Sequence, residues 1–293
     1  VTMLLVAGLG FAGMAAARRA AASGWTVAGT AREPAGIVAP AGVAVIAFAA
    51  AGDAIARASH LLVTAPPGEA GDPLIAAHRP ALEAALAAGT LRWIGYVSTT
   101  GVYGDRGGAE VTEATPPAPG QHRSRRRLDA EAAWRALAAG RAALDLMRAG
   151  GIYGPGRSPF DDLRAGTARR VLKPGHAFSR IHRDDIAHAV LAAITQDLRP
   201  APRVLHLVDD EPAESAEVIA HAARLLGMDP PPGIPFEEAR ARMSPMALSF
   251  WAENRRVANA ATKAALGIAW LYPTYREGLA AILDEERREG LAQ

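Results

Sequence analysis

The sequence predicts an α/β fold, a doubly wound parallel sheet (Rossmann type) covered by helices on both faces and joined to a smaller, mostly helical C-terminal portion. Three observations carry that expectation. The apolar run Met3 to Ala7 meets a glycine-rich turn, Gly8-Leu9-Gly10-Phe11-Ala12-Gly13, which opens into the helix-forming stretch Met14 to Ala22. Short apolar runs then alternate with helical segments. From about Ser215 the pattern turns mostly helical, with proline breaks such as Pro230-Pro231-Pro232.

Taken in order, strand, glycine turn and helix are what a dinucleotide-binding crossover needs. Gly8 permits the tight turn, Gly10 the close approach of a diphosphate and Gly13 close packing of helix on strand, while the amides of Phe11 and Ala12 face the phosphates. Trp25 to Thr30 reads as the second strand, and its end, Thr30-Ala31-Arg32, offers no carboxylate for a ribose. A guanidinium there suits the extra phosphate of NADP, which Arg32 would grip with two donors; Glu33 stays open as a displaced acid serving NAD. Further strands are expected at Val43 to Phe48, Leu61 to Thr64 and Trp93 to Ser98, with helices that include Ala54 to Ala58 and Pro80 to Ala88. The loop Ala65-Pro66-Pro67-Gly68 follows a strand end and reads as cofactor-lining backbone, or as a plain turn.

Beyond it come a helix around Leu128 to Leu137, a strand Leu144 to Met147 and the turn Gly150 to Arg157. A strand at Phe178 to Ile181, a helix from about Asp185 to Thr195 and a strand Val204 to Val208 would return to the sheet. Thr274 to Glu277 reads as the capping box of a last helix. The expected division is therefore 1–155 with 178–212 as the dinucleotide-binding domain, and 156–177 with 213–293 facing the substrate.

Composition narrows the function classes. The 293 residues are 50% hydrophobic, carry a formal charge of +2 and include no cysteine, which excludes disulfides and thiolate chemistry. No apolar run of membrane-spanning length and no basic stripe with interleaved aromatics is present, so neither a membrane nor nucleic acid is an expected partner. The first residues show no charged leader, and a cytoplasmic location is the expectation. No His, Asp and Glu cluster has metal-site spacing.

The segments "VAGLGFAG", "YVSTTGVYG", "RAGGIYGPGR", "RIHRDDIA" and "YPTYREGLA" stand in an order and spacing that resembles the extended short-chain dehydrogenase/reductase superfamily, which holds the NAD-dependent epimerases and dehydratases. The likeness runs over nearly the whole chain and looks closest to an atypical branch without the usual active-site tyrosine. It implies a nicotinamide dinucleotide as hydride carrier, a small-molecule substrate and, as in many relatives, a homodimer. It also implies that Thr99 hydrogen-bonds the substrate oxygen, with turn duty as the alternative for that threonine. Arg180 and His182 match a segment near the substrate, whereas Asp184 and Asp185 are expected to cap the following helix.

The superfamily's tyrosine and lysine lie four residues apart on one helix face. Aligned on Leu128 and Glu131, those positions fall on Arg123 and Arg127 within "HRSRRRLDAE". Arg127 can still hold ribose hydroxyls, but a guanidinium with a pKa above about 12 cannot shuttle protons. Three readings stand: a solvated face made of Arg123, Arg125, Arg126 and Arg127; an anion clamp for a phosphorylated or carboxylated ligand; or another proton donor, Tyr103 or His122. The expected function is an NADP-binding oxidoreductase or epimerase/dehydratase-like enzyme acting on an anionic or sugar-nucleotide substrate, with a catalytically impaired nucleotide sensor as the alternative.

Overall fold

Short apolar runs become central strands here because a parallel sheet buried on both faces must be apolar throughout. The computed structural model describes residues 2–288 and 290. Its main sheet contains β1 (Met3–Ala7), β2 (Thr26–Ala31), β3 (Val43–Ala47), β4 (His60–Val63), β5 (Trp93–Thr99), β6 (Ala143–Ala149) and β7 (Pro202–Leu207). The order across the sheet is β7-β6-β5-β4-β1-β2-β3, and every neighbouring pair is parallel. Strand order reverses between β1 and β4, so the loops leaving these two strands open a crevice at the carboxyl edge of the sheet, the place where such folds bind ligands.

Eleven helices are formed among the described residues: α1 (Phe11–Ala22), α2 (Ala51–Arg57), α3 (Pro73–Ala87), α4 (His122–Ala138), α5 (Pro159–Arg164), α6 (Arg183–Ile194), α7 (Ser215–Leu225), α8 (Phe236–Arg240), α9 (Pro245–Trp251), α10 (Ala260–Leu266) and α11 (Tyr275–Arg288). Alanines on α1 and α6, including Ala12, Ala16, Ala189 and Ala193, let these two helices pack closely on one face of the sheet. The other face is covered by α2, α3 and α4 around Ile55, Leu82, Trp134 and Leu137. A separate cluster of Phe160, Leu163, Val218, Leu279 and Ile282 joins α5, α7 and α11 into the smaller portion. Leu266 and Trp270 pack with the sheet instead, so residues around α10 return to the larger body. No helix among the described residues is long and apolar enough to cross a membrane.

Several boundaries differ from the sequence expectation for local reasons. Helix α3 begins at Pro73, seven residues before the expected start, because the Asp72 carboxylate caps it by accepting from the amides of Leu74 at 2.9 Å and Ile75 at 3.1 Å. Pro80 does not start the helix but accompanies a kink at His78, whose φ is −130°. Helix α4 begins at His122 rather than near Leu128, which puts the whole arginine run on its first two turns. The strand expected over Phe178 to Ile181 is two short ones, Ala177–Phe178 and Arg180–His182, paired with Ala213–Glu214 and Gly151–Tyr153 respectively. The Thr274–Glu277 capping box forms, with the Thr274 amide donating to Glu277 Oε2 at 3.0 Å and the Arg276 amide donating to Thr274 Oγ1 at 3.1 Å.

Candidate active site

The glycine turn between β1 and α1 is shaped by what side chains would obstruct. Gly8 has φ +111°, in the region that favours glycine, and its amide donates to Thr30 Oγ1 at 3.1 Å. A Cβ on Gly13 would stand 2.1 Å from the Gly8 carbonyl oxygen, so helix and strand approach as closely as they do only because Gly13 lacks one. A Cβ on Gly10 would meet nothing within 4 Å; that side of the turn faces open space. Gly10 is the N-cap of α1, with no side-chain cap and no acid in the first turn, which leaves the amides that open the helix, Phe11 and Ala12 among them, without side-chain partners. Space beside free amides at a positive helix end fits a dinucleotide diphosphate. Arg32 is exposed immediately beyond β2, and Glu33 is exposed beside it.

The crevice opens into a cleft of about 770 Å³. Pro66 and Pro67, after β4, form one rim, while Ala65 keeps its amide on the Ala7 carbonyl at 3.2 Å and holds the two loops together. Ser98 and Thr99 at the end of β5 line the floor. Thr99 does both things open to it: it faces the cleft, and its Oγ1 accepts from the Gly101 amide at 3.1 Å to cap the short 3-10 turn Thr100–Tyr103.

Helix α4 supplies the opposite wall. Arg123, Arg126 and Arg127 line the cleft, while Arg125 and His122 are exposed. Arg127 is anchored through Nη1 to the Val97 carbonyl at 2.8 Å and to the Tyr96 hydroxyl at 3.3 Å. The Arg123 guanidinium lies 4.0 Å from the centre of the Phe250 ring, a cation–π contact that ties α4 to α9. Arg126 has a buried Nε without a hydrogen-bond partner. Arg157, Arg180 and Arg255 complete six cleft arginines against a single carboxylate, Glu253, which is held by Arg255 at 2.9 Å. Among the described residues, Arg123, Arg126, Arg127, Arg157 and Arg180 have no carboxylate within 4.0 Å. At an effective dielectric of about 20, two such cations ~10 Å apart repel by about 1.7 kcal/mol. An anion in the cleft would relieve that repulsion.

Beneath the cleft runs a buried polar chain. Ser98 Oγ donates to Glu131 Oε1 at 2.6 Å, and Arg148 donates to both Glu131 oxygens, at 3.0 and 2.7 Å. Arg148 Nη1 also donates to the Tyr103 hydroxyl at 2.7 Å, and that hydroxyl meets His206 Nε2 at 2.5 Å. The Ala258 carbonyl faces His206 Nδ1 at 2.6 Å, which fixes the neutral tautomer with its proton on Nδ1 and makes Nε2 the acceptor from Tyr103. This network corrects the reading of Tyr103 as a proton donor. Its ring is fully buried, its hydroxyl is committed on both sides, and burial raises its pKa above the ordinary tyrosine value. His122, the other candidate donor, points from the exposed start of α4 and does not line the cleft.

His182 is likewise moved away from the substrate. It is buried between Tyr153 and Tyr272, and its Nδ1 caps α6 by accepting from the Asp184 amide at 3.2 Å. Burial lowers its pKa to about 4, which keeps that nitrogen an acceptor at neutral pH. The cap expected from Asp184 and Asp185 is thus made by His182, and Asp185 instead accepts from the amides of Leu271 at 2.6 Å and Tyr272 at 3.2 Å. Arg180 does line the cleft, with Nη1 fixed on the carbonyls of Phe178 at 2.8 Å and Ala213 at 3.0 Å.

Sequence reasoning missed Ser124, the three aromatic walls Phe178, Phe250 and Trp251, and the arginines at 157 and 255. Ser124 had a signal. It falls at helical spacing with Arg127, Glu131 and Trp134, the face of α4 that turns inward. The aromatics had none, because they come from segments far apart in the chain.

What the lining can do chemically is limited. Its ionisable groups are the six arginines and Glu253; it contains no histidine, tyrosine, lysine or aspartate among the described residues. Hydroxyls and guanidinium groups can orient a ligand and hold negative charge, but none of them gives up a proton near neutrality.

No family model matches the chain. Among curated proteins it is 30% identical to Protein YeeZ of Escherichia coli (strain K12) over 243 residues, 77% of this chain and 84% of that protein. It is 35% identical over 147 residues to a 3-diazoavenalumate denitrifying reductase of Streptomyces sp, a match spanning 46% of this chain and 45% of that protein. The structure of a functionally unknown conserved protein from Silicibacter pomeroyi DSS superposes with a TM-score of 0.86 at 39% identity, covering 97% of this chain and 99% of that one. The same fold recurs at 21% identity in MoeE5 in complex with UDP-glucuronic acid and NAD, TM-score 0.76, over 98% and 99% of the two chains. It recurs at 19% identity in the human epimerase family protein SDR39U1 (isoform2) with NADPH, TM-score 0.74, over 97% and 99%. A structure from methylobacillus flagellatus named as an NAD-dependent epimerase/dehydratase superposes with a TM-score of 0.71 at 26% identity over 98% of both chains, and with the parallel sheet and the glycine turn it places the chain in the extended short-chain dehydrogenase/reductase superfamily.

Proposed function

We propose that this protein is an NADP-dependent reductase of a small anionic acceptor. When bound, the nicotinamide dinucleotide supplies hydride. Gly8, Gly10 and Gly13 leave room for its diphosphate, the Phe11 and Ala12 amides face it, Arg32 receives the 2′-phosphate, and Arg127 lies within the cleft to meet a ribose. Thr99 orients the acceptor oxygen, and Arg123, Arg126 and Arg180 hold its negative charge.

The observation that carries this reading is the composition of the cleft: among the described residues it holds unpaired arginines, no histidine, tyrosine or lysine, and one carboxylate, Glu253, whose Oε2 is tied to Arg255. An epimerase or dehydratase must take a proton from a substrate hydroxyl or carbon, which calls for a positioned base. A reductase can work without one when the proton is drawn from water. The reductase named among the relatives supports the same choice. The UDP-sugar and NAD in MoeE5 and the NADPH in the human protein are consistent with either dinucleotide, so the preference for NADP rests on the exposed Arg32 and on β2 ending without a carboxylate.

Titration of NADPH and NADH into the purified protein tests the cofactor half. NADPH is expected to bind at least tenfold more tightly, about 1.4 kcal/mol. Arg32→Ala should erase that difference; equal affinities in the unaltered protein defeat the assignment. Hydride delivery from NADPH deuterated at C4 to a panel of carbonyl and conjugated acceptors then separates the enzyme from a nucleotide sensor, which would bind the dinucleotide and transfer nothing.

A further inference from the structure

Among the described residues Glu253 is the one carboxylate that lines the cleft. Its charge repels the same anion that the unpaired arginines attract. It is nonetheless held firmly, with only 9% of its side chain exposed. The segment that carries it follows α9 and is pinned to residues 104–108. The Arg106 and Gly108 amides both donate to the Asn254 carbonyl at 3.0 Å, the Asn254 amide donates to Asp105 Oδ1 at 2.8 Å, and Arg255 Nη1 donates to the Gly104 carbonyl at 2.9 Å.

Arg255 Nη1 also donates to Glu253 Oε2 at 2.9 Å. A guanidinium and a carboxylate can share two parallel bonds, yet among the described residues only this one forms. Glu253 Oε1 and Arg255 Nε are both buried and bonded to nothing. An unused acceptor and an unused donor on one ion pair match a hydroxyl, which donates and accepts at once. An ionised carboxylate has no proton for Oε1, and an ammonium has no lone pair for Nε. Ser179 Oγ, in the same lining, is a further buried polar atom without a partner. Oε1 lies by the start of α4, 3.0 Å from where a Cβ on Gly120 would stand, and that helix has neither a side-chain cap nor an acid in its first turn. A role confined to the dipole of α4 would show in stability and leave ligand preference alone.

We propose that Glu253 and Arg255 recognise a hydroxyl on the ligand, so that the acceptor site takes an anion that also carries a hydroxyl. The hydroxyl donates to Glu253 Oε1 and accepts from Arg255 Nε, while the negative charge lies on the unpaired arginines. This rests on the reductase reading for the ligand's role as hydride acceptor; the hydroxyl contact rests on the half-used ion pair alone.

Calorimetric titration of the protein, with and without NADP⁺, compares two matched pairs, malate with succinate and citrate with tricarballylate, whose members differ by one hydroxyl. Each hydroxy acid is expected to bind at least about tenfold more tightly than its partner. In Glu253→Ala and in the isosteric Glu253→Gln the members should converge from both sides. The hydroxy acid weakens for want of its acceptor, and the acid without a hydroxyl binds about twofold or more tighter because a repelling charge is gone. Circular dichroism and nucleotide affinity check that both variants fold. The proposal is overturned by equal binding within the pairs, by no binding of either hydroxy acid up to about 10 mM, or by variants that lose stability and keep the preference. If NADPH binds and the pairs do not differ, the hydroxyl proposal falls and the cofactor reading stands; if the pairs differ and neither dinucleotide binds, the reverse holds.

Discussion

The glycine turn and the arginine cleft lie at the same edge of one sheet, yet they are built by opposite means. At the turn, function comes from atoms that are missing: a Cβ on Gly13 would meet the Gly8 oxygen at 2.1 Å, and Gly10 borders open space. In the cleft it comes from side chains that converge from α4, from the ends of β5 and β6, and from segments near residues 157, 180 and 250. The first is local and uses backbone amides, so it tolerates change elsewhere. The second needs long cationic side chains held near one another, and the fold must supply that support.

The support is where the largest effect is expected. Glu131 is wholly buried beneath the cleft and bonded to Arg148 and Ser98. Glu131→Ala leaves the Arg148 charge uncompensated in the core and should cost about 3–5 kcal/mol in chemical denaturation. Replacing both residues by methionine should cost less than the single change. A loss below about 1 kcal/mol for Glu131→Ala would mean that this network does not hold α4 on β5 and β6.

A smaller loss of stability but a sharp loss of binding is expected at the turn. Gly13→Ala forces helix and strand apart, an overpacking cost of about 1–3 kcal/mol. Nucleotide affinity should fall by about 100-fold, roughly 2.7 kcal/mol. Circular dichroism should show the fold retained, and an unchanged nucleotide affinity would show that the close approach of helix and strand at Gly13 is not what shapes the turn for a ligand.

The smallest effect is on the pH dependence of stability. Asp209 is buried with neither carboxylate oxygen bonded, and desolvation pushes its pKa up to about 8; the same cause raises Asp185 to about 7. Between about pH 4 and these values the folded chain keeps protons that the unfolded chain has released, so this stability is full below about pH 4 and is lost as pH rises through 7 to 8. His60 and His182, lowered to about 4 by burial, work in the other direction: their contribution is full above about pH 6.5 and is lost as pH falls toward 4. Asp209→Asn should therefore raise Tm near pH 8.5, by about 2–4 °C for each kcal/mol recovered. The gain should vanish near pH 4; an equal gain at both pH values would place its origin in packing rather than ionisation.

Legibility followed locality. β1, the glycine turn and the alternation of strands and helices were readable because each depends on residues adjacent in sequence: an apolar run, a glycine where no Cβ fits, a helical period. The start of α4 was not, because four arginines at a helix N-terminus oppose the helix dipole and resemble a solvated segment until the cleft that three of them line is known. The assignments to Tyr103 and His182 failed for a related reason. Motif position put both near the substrate, and burial then turned each to structural work, one in a polar network and the other at a helix cap.

By itself the sequence determined the parallel sheet, the crossover turn and the absence of the usual tyrosine and lysine, since backbone geometry and residue identity are written in consecutive positions. Only the tertiary structure decided that Arg123, Arg126 and Arg127 line one cleft, that Phe250 meets Arg123 across 127 positions of chain, and that among the described residues no histidine, tyrosine or lysine shares that cleft. The reason is physical: whether a charge is solvated or confined depends on what the fold brings opposite it.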